Sequence, residues 1–169
     1  MRPINAINAK VRQLLDGHSV NSAPVDVYRI IKDEGINLSL EEMEDDHSGV
    51  LLVENGIAAI AVNSTHHPHR QRFSAAHELG HFILHSRGRD RLFVDKAYRR
   101  SQVSSSGTDK DEIEANRFAA ALLMPEDLIR GYIGNEPITD MDIAKLALKF
   151  QVSEQAMTLR LVNLGLIES

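Results

Sequence analysis

The sequence predicts an α+β domain in which a small, mainly antiparallel sheet of three strands packs with several helices. Two observations carry this reading. Apolar residues recur at helical spacing up to residue 35 and again from residue 68, and between those limits the period falls to two. Inside that middle stretch an Asn55-Gly56 pair flanked by apolar runs marks a tight hairpin. With 169 residues, 43% of them hydrophobic and 25% charged, the chain has the size and balance of one globular domain, 1–169.

The elements follow in order. Ile4, Ile7, Val11, Leu14 and Leu15 repeat at helical spacing, and Gly17 stops that helix. Pro24 suits the first turn of a second helix through Val25, Val27, Ile30 and Ile31, which Gly35 closes, completing a helical N-terminal part, 1–35. The sheet occupies 36–63: Ile36, Leu38 and Leu40 alternate with polar residues, and the runs Val50–Val53 and Ile57–Val62 flank the hairpin. Between the first strand and the hairpin, Glu41–His47 reads as a solvated acidic loop.

Two long helices follow, 68–86 and 110–124, separated by a mixed segment in which Ser101–Gly107 reads as a loop. Thr108, with Asp111 three residues on, is an N-cap signal for the second helix, and Pro125 ends it. The C-terminal part, 125–169, holds helices at Thr139–Phe150 and Ser153–Leu164 with the rhythm of a helix-turn-helix, stopped by Gly165.

Composition narrows the chemistry. The absence of cysteine excludes disulfides, thiolate metal sites and thiol catalysis. A net charge of -5 gives no basic field to draw the chain to nucleic acid or anionic lipid. The longest apolar run, Phe118–Met124, falls far short of the roughly 20 residues that span a bilayer. No signal-like segment opens the chain, so a soluble, cytoplasmic protein is expected.

Three of the 8 histidines stand at 77, 81 and 85. His77-Glu78-Leu79-Gly80-His81 is an H-E-x-x-H sequence inside a predicted helix, and a shuffled chain of this composition would contain about 0.03 of them. Residues four apart lie one above the other on a helix, so both imidazoles reach a single ion while Glu78 reaches a water on it. On the helical wheel Ala75, Ala76, Leu79, Phe82 and Ile83 fill an apolar arc and the histidines line the opposite stripe, which must face a cleft or a partner. Hydrogen-bonded core histidines would be the structural alternative, each needing its own buried partners.

Such a centre needs a third protein ligand and an open position for water. His85 lies about 12 Å along the axis from His77 and suits a supporting hydrogen bond at the helix end. On the next helix Glu112 centres on an arc of Ala115, Ala119, Leu122 and Leu123, where a carboxylate without a cation would lose several kcal/mol. Glu112 is therefore preferred over Glu114, and Asn116, four residues on, is placed to orient Glu112 or a ligand imidazole. A His, His, Glu set with one open position suits zinc, resembling that of thermolysin-like peptidases, with Glu78 as general base.

The run Arg70–His85 and the run Glu112–Pro125 resemble the two central motifs of the ImmA/IrrE metallopeptidases. Asn63 and the closing segments Phe150–Ser153 and Leu164–Ile167 extend the likeness over roughly Pro24 to Ile167. The resemblance implies a thermolysin-like minimal metallopeptidase domain with His77, His81 and Glu112 holding Zn2+, or alternatively Mn2+, and Glu78 as catalytic base. It further implies an endopeptidase that cuts a helix-turn-helix (XRE-type) transcriptional repressor and so releases stress-response or mobile-element genes.

Rival readings remain open at this level. The C-terminal helices could serve a DNA-binding regulator, although Lys145, Lys149 and Arg160 are set against Asp140, Asp142, Glu154 and Glu168. A non-cleaving, metal-dependent module that docks a repressor would carry the same ligands. His66-His67-Pro68-His69 reads as an exposed polar loop rather than a second metal site. Arg70 and Arg72 fit either the cleft or a structural salt bridge, and His85, Tyr98 and Tyr132 are each offered as the oxyanion donor. A substrate loop is expected along an edge strand at Ile57–Val62, with Arg87–Gly107 as a lid.

Overall fold

The apolar stripe that opens the chain is buried through Ile7, Val11, Leu14 and Leu15 in helix α1 (Ile4–Gly17), which lies against helix α4 (Gly107–Leu123). The computed structural model describes residues 1–86, 90–96, 107–134 and 137–168. Helix α2 (Val27–Asp33) is capped by the Asp26 side chain, which accepts from the Arg29 N–H, so Pro24 stands ahead of the helix rather than in its first turn.

Among the described residues the sheet has four strands, not three: β1 (Asn37–Glu41), β2 (His47–Glu54), β3 (Ile57–Asn63) and β4 (Arg91–Lys96), in the order β1-β3-β2-β4. β1 runs parallel to β3, and β2 runs antiparallel to both β3 and β4. Asn55 and Gly56 both take positive φ, at 51° and 79°, the conformation of the primed two-residue turn that matches the twist of paired strands. Because β3 is paired on both sides, Ile57–Val62 is not an edge, and among the described residues β4 is the outer strand beside β2.

Leu51 and Val53 of β2 and Ala58, Ile60 and Val62 of β3 form the buried face of the sheet. Across it lies helix α3 (Pro68–His81), with Ala75, Ala76 and Leu79 fully buried. The expected helix 68–86 changes geometry after His81: Phe82–Ser86 is a π turn in which the Ser86 hydroxyl donates to the His81 carbonyl.

Helix α4 begins at Gly107, which places Thr108 inside it rather than at its cap. Helices α5 (Glu126–Tyr132), α6 (Asp140–Phe150) and α7 (Glu154–Asn163) complete the fold. A capping box between Thr139 and Asp142 starts α6, Gln151 ends it in the left-handed region, and Ser153 caps α7. Of the segment expected as a lid, residues 91–96 form β4, while Tyr98 and 101–106 lie outside the described residues.

Candidate metal centre

Close approach of α3 and α4 builds the site. At Gly80 an added Cβ would lie 3.0 Å from Phe118 Cδ1 and 3.3 Å from Ala115 Cα, so the absence of a side chain lets the two helices touch. Glu112 lies about one turn before Ala115, and the contact brings its carboxylate over the histidine stripe. His77 Nε2 and His81 Nε2 are 3.0 Å apart, and Glu112 Oε2 and Oε1 stand 3.2 Å from the first and second respectively. Both histidines are 1% exposed.

His77 Nδ1 lies 3.1 Å from Asn116 Oδ1, an arrangement in which Nδ1–H donates to the amide and Nε2 keeps its lone pair for the centre. His81 stacks on Phe93 of β4, with ring centroids 4.3 Å apart and planes 20° off parallel.

Burial works against the charged form of His77, but the Glu112 hydrogen bond and the charges of Glu78, Asp95 and Glu112 outweigh it and raise its pKa. At His81 burial prevails and the pKa falls. Glu112, also opposed by burial, is held well below the usual carboxylate range by the two histidines.

The donor set fits a divalent metal. Two imidazole nitrogens 3.0 Å apart converge with the Glu112 carboxylate, which turns one oxygen to each of them at 3.2 Å. Donors around a tetrahedral zinc stand roughly 3.3 Å apart, given bonds of about 2.0–2.1 Å.

Glu78 is 0% exposed, and neither carboxylate oxygen has a hydrogen-bond partner among the described residues. Burial, reinforced by Asp95 and Glu112 against the opposing His77, pushes its pKa up to about 8. Gly49 of β2 holds it from above: a Cβ there would lie 3.1 Å from Glu78 Oε1. This contact falls where β2 and β4 shift register between His47 and Gly49.

Asp95 of β4 is a residue that sequence reasoning missed. It is 4% exposed, and one of its oxygens gathers with His77 and Glu78 in a group whose ligand atoms all lie within 4.8 Å of one another. The aromatic and β-branched run Leu92-Phe93-Val94 is the signal that would have marked its strand.

Other candidates stand elsewhere. Glu114 is the more buried glutamate, at 2% exposure, and is met by Arg2 rather than by the histidines, while the Glu112 side chain is 28% exposed. The helical wheel thus ranked the burial of the two glutamates in the wrong order, because the N-terminal residues cover α4 on the side of Glu114. His85 is bonded near Arg2 and Asp111, at 3.3 and 3.5 Å from its Nδ1.

Tyr132 packs its ring against Phe150 and Lys149 and accepts from the Ala23 N–H, with no contact to the histidines. Arg72 is buried and donates to the carbonyls of Val25, Phe150 and Gln151, which makes it a backbone pin rather than a salt bridge. Arg70 donates to Ser48 Oγ. His66 reaches the Asp45 carbonyl and His67 caps α3, and these histidines join no metal-ligating group among the described residues.

Comparison with known proteins places this geometry in context. Residues 31–162 match the model of the IrrE N-terminal-like domain, Peptidase_M78. Over 96 residues, 56% of this chain, the sequence is 38% identical to the radiation response metalloprotease IrrE of Deinococcus radiodurans, covering 27% of that protein. It is 31% identical over 154 residues to the protein of the same name from Deinococcus deserti, covering 88% of this chain and 50% of that one. An uncharacterized immunity region protein 2 of Bacillus phage phi105 is 27% identical over 142 residues, 84% of this chain and 82% of the phage protein. The chain therefore spans half or less of the IrrE proteins and most of the phage one. In fold it is similar to a Mycobacterium tuberculosis transcriptional regulator, with a TM-score of 0.63, 17% identity, and coverage of 94% of this chain and 46% of that one.

Proposed function

The chain belongs to the ImmA/IrrE family, whose IrrE N-terminal-like domain its residues 31–162 match, and from that premise we propose that it is a metal-dependent endopeptidase. The observation that carries the reading is the triangle of His77, His81 and Glu112 with the partnerless carboxylate of Glu78 beside it. His77, His81 and Glu112 hold the metal, zinc or alternatively manganese. When bound, such an ion supplies Lewis acidity that polarises a scissile carbonyl and acidifies a water.

The chain's own residues do the rest. Glu78 takes the proton of the attacking water on its carboxylate and hands it to the nitrogen of the leaving amine. Gly49 keeps that carboxylate aimed, and Asn116 fixes the His77 tautomer. Phe93 and the buried helix faces exclude bulk water from the centre. The substrate is a protein segment that adds alongside β4, the outer strand whose Phe93 and Asp95 border the site.

A helix-turn-helix repressor, cut to release the genes it silences, is the substrate we infer from the family, and the kinship with a phage immunity region protein supports it. Cytoplasmic residence follows from such a partner, and no described helix is long and apolar enough to cross a membrane. Direct DNA reading by the C-terminal helices finds no support: Arg160, the basic residue of α7, is 9% exposed and donates inward to the Met124 carbonyl.

Incubation with the repressor encoded nearest this gene tests the proposal, with metal content measured on the same preparations. Cleavage by wild type, with Glu78→Gln retaining the metal and losing cleavage, is the expected result. Biological activity fully retained by Glu78→Gln would overturn it in favour of a non-cleaving repressor-binding module.

A further inference from the structure

Two glutamates on α4 meet different company. Glu112 faces the histidines, whereas Glu114, two residues on and buried, is met by the second residue of the chain. The Arg2 backbone N–H donates to Glu114 Oε1, and its Nη1 donates to Glu114 Oε2 at 2.6 Å. The same guanidinium reaches across to the π turn: Nη2 donates to the Leu84 carbonyl at 2.6 Å, and Nη1 lies 3.3 Å from His85 Nδ1.

One planar fork therefore bridges α4, which carries Glu112, and the π turn that continues α3 beyond His81. Leu84 follows His81 by three residues and Glu114 follows Glu112 by two. Leu84 O belongs to the last described turn of its helical segment, and Arg2 supplies it a donor. A guanidinium can serve a carboxylate and a carbonyl at once in fixed geometry, which an ammonium cannot.

We propose that Arg2 is a positioning residue of the metal centre: by tying Glu114 on α4 to the Leu84 carbonyl of the π turn, it sets where Glu112 stands relative to His77 and His81. The proposal rests on the metal-centre reading given above. Without Arg2 the buried Glu114 carboxylate keeps only His85, 4.0 Å from its Oε2, as an ion partner among the described residues; the first half of α4 relaxes, and the Glu112 corner of the triangle moves.

Zinc affinity, by competition with a chromophoric chelator, is measured for wild type, Arg2→Lys, Arg2→Ala, the Arg2→Ala/Glu114→Gln double variant and Leu161→Ala. Leu161 is a fully buried residue of α7 and serves as a control for general destabilisation. Amide hydrogen exchange is followed on the same set without metal. The expected result is about tenfold weaker zinc binding in Arg2→Ala than in Leu161→Ala, the lower end of what loss of a supporting partner does to a metal site. Arg2→Lys falls between, the double variant recovers part of the loss, and exchange quickens specifically over residues 110–116. Zinc binding in Arg2→Ala equal to that of Leu161→Ala, with no local change in exchange, overturns the proposal. Absence of zinc binding in wild type overturns the metal reading instead, and exchange over 110–116 then decides whether Arg2 holds α4.

Discussion

Gly80 of α3 lies beneath Phe118 of α4 so closely that a methyl group at residue 80 would stand 3.0 Å from the ring and 3.3 Å from the Ala115 backbone. Phe118 is itself fully buried and has no free direction in which to give. Gly80→Ala should therefore push the helices apart, destabilise the fold by about 1–3 kcal/mol, and draw Glu112 away from the histidines. Thermal unfolding and metal titration of the variant check both halves. Wild-type metal affinity in a destabilised Gly80→Ala protein would show that the contact serves packing alone.

The two α4 glutamates should separate in metal content. After dialysis, wild type is expected to retain near one ion per chain, Glu112→Gln none, and Glu114→Gln a weakened but measurable fraction. Asn116→Ala removes the acceptor that fixes His77 and should weaken binding about 10- to 100-fold with little change in fold. Elemental mass spectrometry reads the first comparison and chelator competition the second. Equal loss from Glu112→Gln and Glu114→Gln would remove the distinction between them.

What could be read from the sequence was what local periodicity and spacing encode. The H-E-x-x-H helix, the Asn55-Gly56 hairpin and the two C-terminal helices that start near Thr139 and Ser153 each depend on neighbours within a few residues, and the structure has them in place. Strand β4 was missed because its apolar residues are the short run Leu92-Phe93-Val94 between charges, with no alternation to give it a face. Its loss hid Phe93 and Asp95, while β3 looked like an edge for another reason: β1 pairs with it in parallel on the side away from β2, a long-range pairing that alternation does not report. The wheel for α4 failed at Glu114 because the residue that covers it, Arg2, lies 112 positions away in sequence. No periodicity carries that information.

Gly49→Ala isolates the placement of the candidate base. An added Cβ would stand 3.1 Å from Glu78 Oε1 and 3.4 Å from the Ala61 carbonyl, so Glu78 must swing aside, while His77, His81 and Glu112 are untouched. Cleavage should fall about 10- to 100-fold through kcat, with metal content unchanged, since a misplacement near 1 Å suffices for such losses. Loss of metal together with activity would mean that the strand acts on the whole centre rather than on Glu78.

Glu78 also makes a prediction about pH in the metal-free protein. Its folded pKa is raised to about 8 from an ordinary value of 4.5, chiefly by burial. A group raised in this way is protonated in the folded state where it would ionise in the unfolded one. Its contribution to stability is complete below about pH 4.5 and is lost as pH climbs through 8. Chelator-treated protein should therefore lose stability across that window, with a slope approaching about 1.4 kcal/mol per pH unit from this residue. Glu78→Gln cannot ionise and should flatten the profile, and so should saturating zinc in wild type, because a nearby dication favours the carboxylate. Urea unfolding of the three samples at successive pH values measures this directly. Parallel profiles for wild type and Glu78→Gln would mean that Glu78 ionises in the folded protein at an ordinary carboxylate value, with water or a counter-charge reaching it.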